Sequence, residues 1–136
     1  MAITKEQHMT RFFVTLRVAL VLGMVLWASP HGAAAQQADV LAAIDGAARR
    51  WGLTPRFMRC LAARESTYRP NAIGRGGGMG LYQFTARTWR ANAPRYGWRG
   101  HSPYDARAAA HVAAGMIAHG MLGHWPRANR CGSPRA

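Results

Sequence analysis

Apolar residues recur every three or four positions along several stretches of the chain, which is the spacing of one face of an α-helix. In residues 39–52 this apolar face is formed by Val40, Leu41, Ile44, Ala48 and Trp51. A glycine at position 52 is placed to end that helix. Residues 53–66 repeat the pattern, with Thr54 as the N-cap and Pro55 at the first helical position. The pattern therefore predicts two successive amphipathic helices.

The pattern changes after the second helix. Residues 67–80 contain five glycines, a proline and an asparagine, so they are expected to form turns. Residues 80–84 are short, apolar and aromatic, and could form a strand or an extended turn. Residues 85–93 predict a short helix behind a threonine cap, and residues 103–122 a long apolar helix behind Ser102. Strand patterns are scarce, so the predicted fold class is mostly α, with little or no β-structure.

The N-terminal 35 residues have the order of a secretory signal peptide. Three cations precede the uncharged apolar run of residues 18–27, and small residues follow up to Ala35. The alternative is an uncleaved anchor, but the run is shorter than the ~20 residues that span a bilayer. We therefore expect residues 1–35 to be removed from a domain of residues 36–136. The mature protein would be bacterial, periplasmic or secreted, and would have no stable membrane span.

The charge balance narrows the class of partner. The chain has 18 lysines and arginines against five acidic residues, a net charge of +13. Such a charge favours anionic partners, among them nucleic acid, acidic wall polymers and lipid headgroups. Export and the absence of a basic stripe argue against nucleic acid. The histidines show no metal-ligand spacing, so neither a metal nor another cofactor is expected.

Cys60 and Cys131 are the two cysteines of the chain. In an exported protein an even pair is typical of a disulfide, and two cysteines allow one intramolecular bridge. The alternative is a pair of buried free thiols. A bridge would close a long loop and join the C-terminal tail to the second predicted helix, with a stabilisation of about 4 kcal/mol from chain entropy.

Glu65 is the acidic residue whose placement raises a question of chemistry. It lies in the stretch LAARESTYRP, between Arg64 and Arg69, at the C-terminal end of the second predicted helix. It could form a surface ion pair with either arginine. The negative end of a helix disfavours an ionised carboxylate, as partial burial does, so it could instead be a general acid. That role requires Arg64 and Arg69 to point away from the carboxyl group.

The residues that follow favour the second interpretation. An ES pair at 65–66, a glycine-rich loop, GLYQF at 80–84 and TARTW at 85–89 come in one order. In this order and spacing the chain resembles the soluble-type lytic transglycosylases of the lysozyme superfamily, in particular small exported members. The resemblance covers roughly residues 39–125. It implies a bilobed, mostly helical, lysozyme-like fold with a cleft for the glycan strands of peptidoglycan.

The resemblance also implies roles for individual residues. Glu65 would be the catalytic acid/base, supported by the motif residue Ser66. The expected contacts with the substrate come from the glycine-rich motif and from two tryptophans in loops: Ser66, Gly80, Leu81, Tyr82, Gln83, Trp98 and Trp125. A tyrosine stands at position 82, where many members have methionine. The region after the last helix also lacks the Ala-Tyr-Asn motif of many members.

The activity implied by the resemblance needs a single carboxyl group, whereas most glycosidases use two. Glu65 would protonate the glycosidic oxygen between N-acetylmuramic acid and N-acetylglucosamine, and the product would carry a 1,6-anhydro end. Two alternatives remain open, a catalytically weak peptidoglycan-binding module of the same fold and a lysozyme-type hydrolase. The expected partners are peptidoglycan strands and a secretion or conjugation apparatus, and the protein is expected to be a monomer.

Overall fold

Four α-helices and three short 3₁₀ helices make up the computed structural model, which describes residues 31–136. The α-helices are α1 (His31–Arg50), α2 (Pro55–Ser66), α3 (Ala86–Asn92) and α4 (Ala106–Ala118). The 3₁₀ helices span Ala93–Tyr96, Leu122–His124 and Pro126–Arg130. The described residues contain no strand; two isolated antiparallel bridges join Ile73 to Met79 and Met79 to Phe84. The predicted class, mostly α with little or no β-structure, is confirmed.

Most of the predicted signal peptide, residues 1–30, lies outside the described residues. The remaining residues, 31–35, form the first turns of α1, which runs without a break past Ala35. The domain boundary at residue 36 therefore stays a prediction. None of the helices in the described part of the chain is both long enough and apolar enough to cross a membrane.

The caps of α2 and α3 follow the sequence pattern. The Thr54 hydroxyl accepts a hydrogen bond from the Phe57 N–H, with a proline at the next position. The Thr85 hydroxyl accepts one from the Thr88 N–H. Each bond satisfies a backbone donor that the first turn of a helix leaves free. Both predicted helix starts are confirmed.

Helix α4 is the centre of the core in the unit Ala34–Ala136. Nine of its thirteen residues are buried, and most of these are alanines, so neighbouring elements approach its backbone closely. A Cβ atom at Gly115 would lie 2.5 Å from the ring of Tyr96, so glycine is required for this contact. Most of the other large core residues come from α1, α2 and the segment after α2: Val40, Ile44, Phe57, Met58, Leu61, Leu81, Tyr82 and Phe84. Trp89 of α3 and Trp125 of the C-terminal tail complete the core.

Two cross-links hold α2 in place. The predicted disulfide between Cys60 and Cys131 is present, and it joins α2 to the end of the last 3₁₀ helix. On α1, Asp45 accepts two hydrogen bonds from the Arg59 guanidinium, one of them 2.7 Å long from Nε to Oδ1. Such two-point pairs fix orientation as well as distance. The middle of α2, at Arg59 and Cys60, is therefore held from two sides.

Candidate active site

Glu65 lies in the last turn of α2, one residue before the helix ends. Its side chain is only 9 % exposed, although the residue carries a carboxyl group. Removing a carboxyl group from water costs free energy, so a carboxyl group buried to this extent is expected to be paired or to have a functional role. This burial separates Glu65 from an ordinary surface glutamate.

The guanidinium nearest to Glu65 comes from the far end of the chain. Arg127 Nη1 lies 3.4 Å from Glu65 Oε2, while the Arg127 side chain is 67 % exposed. Arg64 and Arg69, the arginines nearest in sequence, form no ion pair with Glu65 in the described part of the chain; Arg69 Nε instead donates to the Ser66 carbonyl at 3.0 Å. Neither arginine pairs with Glu65, as expected, but the carboxyl group still has a guanidinium neighbour in Arg127.

Sequence reasoning missed Arg127 because 62 residues separate it from Glu65. One signal could have found it. Arg127 lies four residues before Cys131, and Glu65 lies five residues after Cys60, so the disulfide brings both stretches to the same side of α2. A residue one helical turn from one cysteine can reach a residue about one turn from the other.

Ser66 connects the end of α2 to the turn that follows the glycine-rich loop. It is buried, and its hydroxyl lies 2.8 Å from the Leu81 carbonyl and 3.2 Å from the Ala62 carbonyl. Both contacts end on backbone oxygens, so the side chain acts as a spacer between two segments. Thr67 and Tyr68 follow with positive φ angles of 54° and 60°, which reverse the chain immediately after the site.

Residues 79–84 form a tight turn rather than a strand. Met79 and Phe84 exchange two backbone hydrogen bonds of 2.9 and 3.0 Å, and the four residues between them make the turn. Gly80 has a φ of +71°, and a Cβ atom there would lie 2.1 Å from the Pro103 carbonyl oxygen. Glycine is thus required at position 80 for both conformation and space.

Gln83 belongs to the same turn and has a φ of 53°. Its amide nitrogen donates to the Gly80 carbonyl at 2.8 Å and to the Ala72 carbonyl at 3.3 Å. Its amide oxygen occupies the position where a side chain at Gly74 or Gly78 would begin. The glutamine therefore ties the turn to the glycine-rich loop, and two glycines make room for it.

Three predicted contact residues lie in the core. Leu81 and Tyr82 are fully buried, and Trp125 is 5 % exposed. The Tyr82 hydroxyl donates to the Met58 carbonyl at 3.1 Å, and the Trp125 indole N–H donates to the Tyr82 carbonyl at 2.8 Å. Burial raises the pKa of Tyr82 well above its usual value. In this conformation the side chains of these residues present no open face to a sugar, so they support the site from behind.

Trp98 lies elsewhere. It is half-buried, and its ring contacts His101 and His111 at centroid distances of 4.8 and 5.3 Å. The structure thus brings Ser66 and the 80–83 turn together with the end of α2. Trp98 belongs instead to the cluster around His111.

A comparison of the sequence with known protein families agrees with the site geometry described above. A family model described as "Transglycosylase SLT domain" matches residues 42–127. The chain belongs to the transglycosylase SLT domain family. Membership supports a lytic transglycosylase-type function in general and implies binding of peptidoglycan, in a mostly helical domain of the lysozyme-like superfamily. No curated protein and no solved structure matches the chain significantly.

The SLT domain offers no obvious place for a metal ion within residues 31–136. No group of three or more histidine, cysteine, aspartate or glutamate side chains is close enough together there to hold one.

Proposed function

We propose that Glu65 is the single general acid/base of a peptidoglycan lytic transglycosylase. The observation that carries the proposal is a carboxyl group with 9 % of its side chain exposed, at the end of a helix fixed by a disulfide, in a chain of the SLT family. A general acid/base needs a defined position relative to the bond it acts on. The disulfide and the Ser66 contacts provide such a position.

The remaining carboxylates support a mechanism with one carboxyl group. Asp45 is paired with Arg59, and Asp105 caps α4 through the N–H groups of Arg107 and Ala108. Two-carboxylate glycosidases need a second acid about 5–9.5 Å from the first. Asp39 lies on α1, in a pocket that Glu65 does not line. With Asp45 and Asp105 engaged elsewhere, Glu65 acts alone in this proposal, which favours intramolecular ring closure over attack by a water that a second carboxylate activates.

The reaction then proceeds in two halves. The protonated Glu65 carboxyl group donates its proton to the glycosidic oxygen between N-acetylmuramic acid and N-acetylglucosamine, and the bond from that oxygen to the muramyl C1 breaks. The sugar's own acetamido group stabilises the positive charge at C1. The Glu65 carboxylate next takes the proton of the C6 hydroxyl, whose oxygen bonds to C1. The 1,6-anhydro product leaves, and Glu65 is protonated again.

Arg127 has a place in this cycle as a positioning residue. A guanidinium 3.4 Å from the carboxylate stabilises the negative charge that Glu65 carries in the second half. In the first half Glu65 must be protonated, so Arg127 has to move aside as the strand binds and return to the carboxylate once the proton has been donated. Its exposure of 67 % and its single contact with the carboxylate allow that movement.

The expected compartment follows from the substrate. Peptidoglycan lies in the cell envelope, so we infer export with removal of residues 1–35 and action of the 36–136 domain as a monomer. A restricted role, local opening of the wall for a secretion or conjugation apparatus, fits a small enzyme. Among the predicted contact residues, Gln83 and Trp98 are partly exposed, whereas Gly80 is buried.

The test is the chemistry of the products. We expect the purified protein to release 1,6-anhydromuropeptides from peptidoglycan, as identified by mass spectrometry, and Glu65→Gln to abolish the release. Glu65→Asp, which keeps the carboxyl group but shortens the side chain, is the matched control for position. Products with reducing ends would instead identify a lysozyme-type hydrolase. Binding without soluble products would identify a wall-binding module.

A further inference from the structure

A pocket of about 850 Å³, separate from the Glu65 site, lies between α1 and the start of α4. Its wall includes Asp39, Gly46 and Arg50 from α1, Asn71 from the loop after α2, and Arg107 and His111 from α4. Neither Glu65 nor Arg127 lines it. Its volume is in the range of pockets that hold small molecules or short peptides.

The pocket is open because α1 carries small side chains along one face. The small residues Ala43 and Gly46 line the cavity at helical spacing. Arg50 follows one turn later and also lines it. A Cβ atom at Gly46 would meet nothing within 4 Å, so alanine would fit there. Glycine inside a helix is less stable than alanine by about 0.5–1 kcal/mol. The smallest residue therefore stands where the helix itself would favour a larger one.

Three nitrogen-bearing side chains meet at one end of the pocket. Arg50 ends α1, Arg107 lies in the first turn of α4, and His111 lies one turn further on. Burial, and then the positive charges of Arg107 and Arg50, lower the pKa of His111, so both guanidinium groups lie close enough to act on one ring. Among residues 31–136 neither arginine takes part in an ion pair.

The acidic groups of the pocket are placed differently. Asp105 also lines it, but its carboxylate accepts hydrogen bonds from the backbone N–H groups of Arg107 and Ala108 and contacts His101. Asp39 lies about three turns before Arg50 on α1. The pocket thus presents cations near the C-terminal end of α1 and the Asp39 carboxylate about three turns away, and the amide of Asn71 also lines it.

We propose that this pocket binds a carboxylate-bearing peptide, of the class that substitutes the muramic acid of peptidoglycan. Arg50 and Arg107 would hold the carboxylate, since a guanidinium binds it through two parallel hydrogen bonds. Asp39 and Asn71 would accept the N–H groups or the ammonium group of the peptide. The inference rests on the proposed function for the identity of the ligand, and Asn71 lies six residues after Glu65, so one loop serves both sites.

Isothermal titration of the full chain with the synthetic tripeptide Ala-γ-Glu-Lys tests the proposal, since this peptide has free carboxylates and an ammonium group. We expect binding that weakens with salt, and no binding of the same peptide with its carboxylates amidated. Arg50→Ala and Arg107→Ala should each weaken binding about tenfold, from the loss of a charge-assisted hydrogen bond. Arg90→Ala removes an exposed charge from α3, outside the pocket, and should change little.

Gly46 supplies a test that leaves every charge in place. Gly46→Leu narrows the cavity and should weaken peptide binding, whereas Gly46→Ala should keep it. If Gly46→Leu is unstable, the arginine variants still decide the question. Unchanged affinity in Arg107→Ala, or equal binding of inorganic phosphate at the same ionic strength, would overturn the proposal.

The design separates this proposal from the enzymatic one. Glu65→Gln should lose anhydro products and keep peptide affinity. Anhydro products without peptide binding would refute the pocket alone. Peptide binding without anhydro products would refute the proposed enzymatic function and leave the pocket as a peptide site.

Discussion

The surroundings of Glu65 come from groups that are far apart along the chain. Arg127 approaches its carboxylate, and the neighbouring Ser66 binds the Leu81 carbonyl, 15 residues away. Such an arrangement has different consequences for stability and for catalysis. An ion pair between an exposed guanidinium and a carboxylate contributes only about 0–1 kcal/mol in water. Once a glycan covers the site, the same charge acts in a less polar medium and has a larger effect.

Arg127→Ala should therefore change activity more than stability. We expect the free energy of unfolding to stay within about 1 kcal/mol, and kcat to fall about tenfold, which corresponds to about 1.4 kcal/mol of transition-state stabilisation. The KM should change little, because the contact is with the enzyme's own acid rather than with the substrate. Urea unfolding and steady-state assay of anhydro products measure the two effects.

Arg127→Lys is the matched control, since it keeps the charge at the same place. It should retain most of the wild-type kcat. A kcat for Arg127→Ala equal to that of the wild type would show that the ion pair has no part in the reaction.

At the scale of elements, α4 begins later than its sequence pattern indicates. Ser102 and Pro103 were expected to cap the helix, but its N-cap is Asp105 and its first residue is Ala106. The Ser102 hydroxyl instead accepts a hydrogen bond from the Tyr104 N–H, which makes a local turn. Asp105 Oδ1 accepts two, from the N–H groups of Arg107 and Ala108. A charged acceptor that satisfies two free donors is the stronger cap.

Asp105→Ala should destabilise the protein by about 1 kcal/mol at neutral pH, which is the usual effect of losing an N-cap. Burial raises the pKa of Asp105, but its hydrogen bonds to Ala108, His101 and Arg107 lower it by more, and the net shift is downward. The Asp105 carboxylate therefore binds a proton less tightly in the folded protein than in the unfolded chain. This stabilisation is fully present above the ordinary pKa of 3.8 and is lost as the pH falls through the lower folded value.

The difference in unfolding free energy between wild type and Asp105→Ala should accordingly shrink below about pH 4. Urea unfolding at pH 7 and at pH 3 measures it. Asp105→Asn is the control, because asparagine caps a helix without a charge. Asp105→Asn should retain most of the wild-type stability at pH 7. Lowering the pH should not remove the contribution of this cap, because asparagine does not titrate.

The elements illustrate how far sequence reasoning reaches. Local signals were sufficient for α2 and α3, because Thr54 and Thr85 cap the helices that directly follow them. They were not sufficient for Trp125, which was expected to face a sugar. Its neighbourhood of glycine and proline indicated a loop, but its orientation depends on the Tyr82 carbonyl, 43 residues away. Contacts over such distances leave no periodic trace in the sequence.

At the scale of the whole domain, the C-terminal tail is a structural part of the site. The last 3₁₀ helix packs on α2, and the disulfide fixes its end. Beyond it, the Thr54 N–H donates to the Pro134 carbonyl at 2.9 Å, and the Arg135 guanidinium donates to the Ala118 carbonyl at 2.8 Å. The tail that carries Arg127 is thus attached to the start of α2 and to the end of α4.

Removing the disulfide should affect both the stability of the domain and the site. The bridge spans a sequence separation of 71 residues, for which chain entropy gives about 4 kcal/mol. A small domain has about 5–15 kcal/mol in total, so the loss is a large share. The double variant Cys60→Ala, Cys131→Ala should unfold at a clearly lower urea concentration than the oxidised wild type.

The same variant should lose activity before it unfolds, since the 3₁₀ helix with Arg127 loses its covalent attachment to α2. Product release measured well below the unfolding midpoint separates this effect from global unfolding. Reductant should lower both the unfolding midpoint and the product release of the wild type, and should change neither in the double variant. This result identifies the bridge as the cause. A wild-type midpoint that reductant leaves unchanged would mean that the noncovalent contacts of the tail are sufficient to hold it. Stability that falls while activity per folded molecule stays constant would separate the bridge from the position of Arg127.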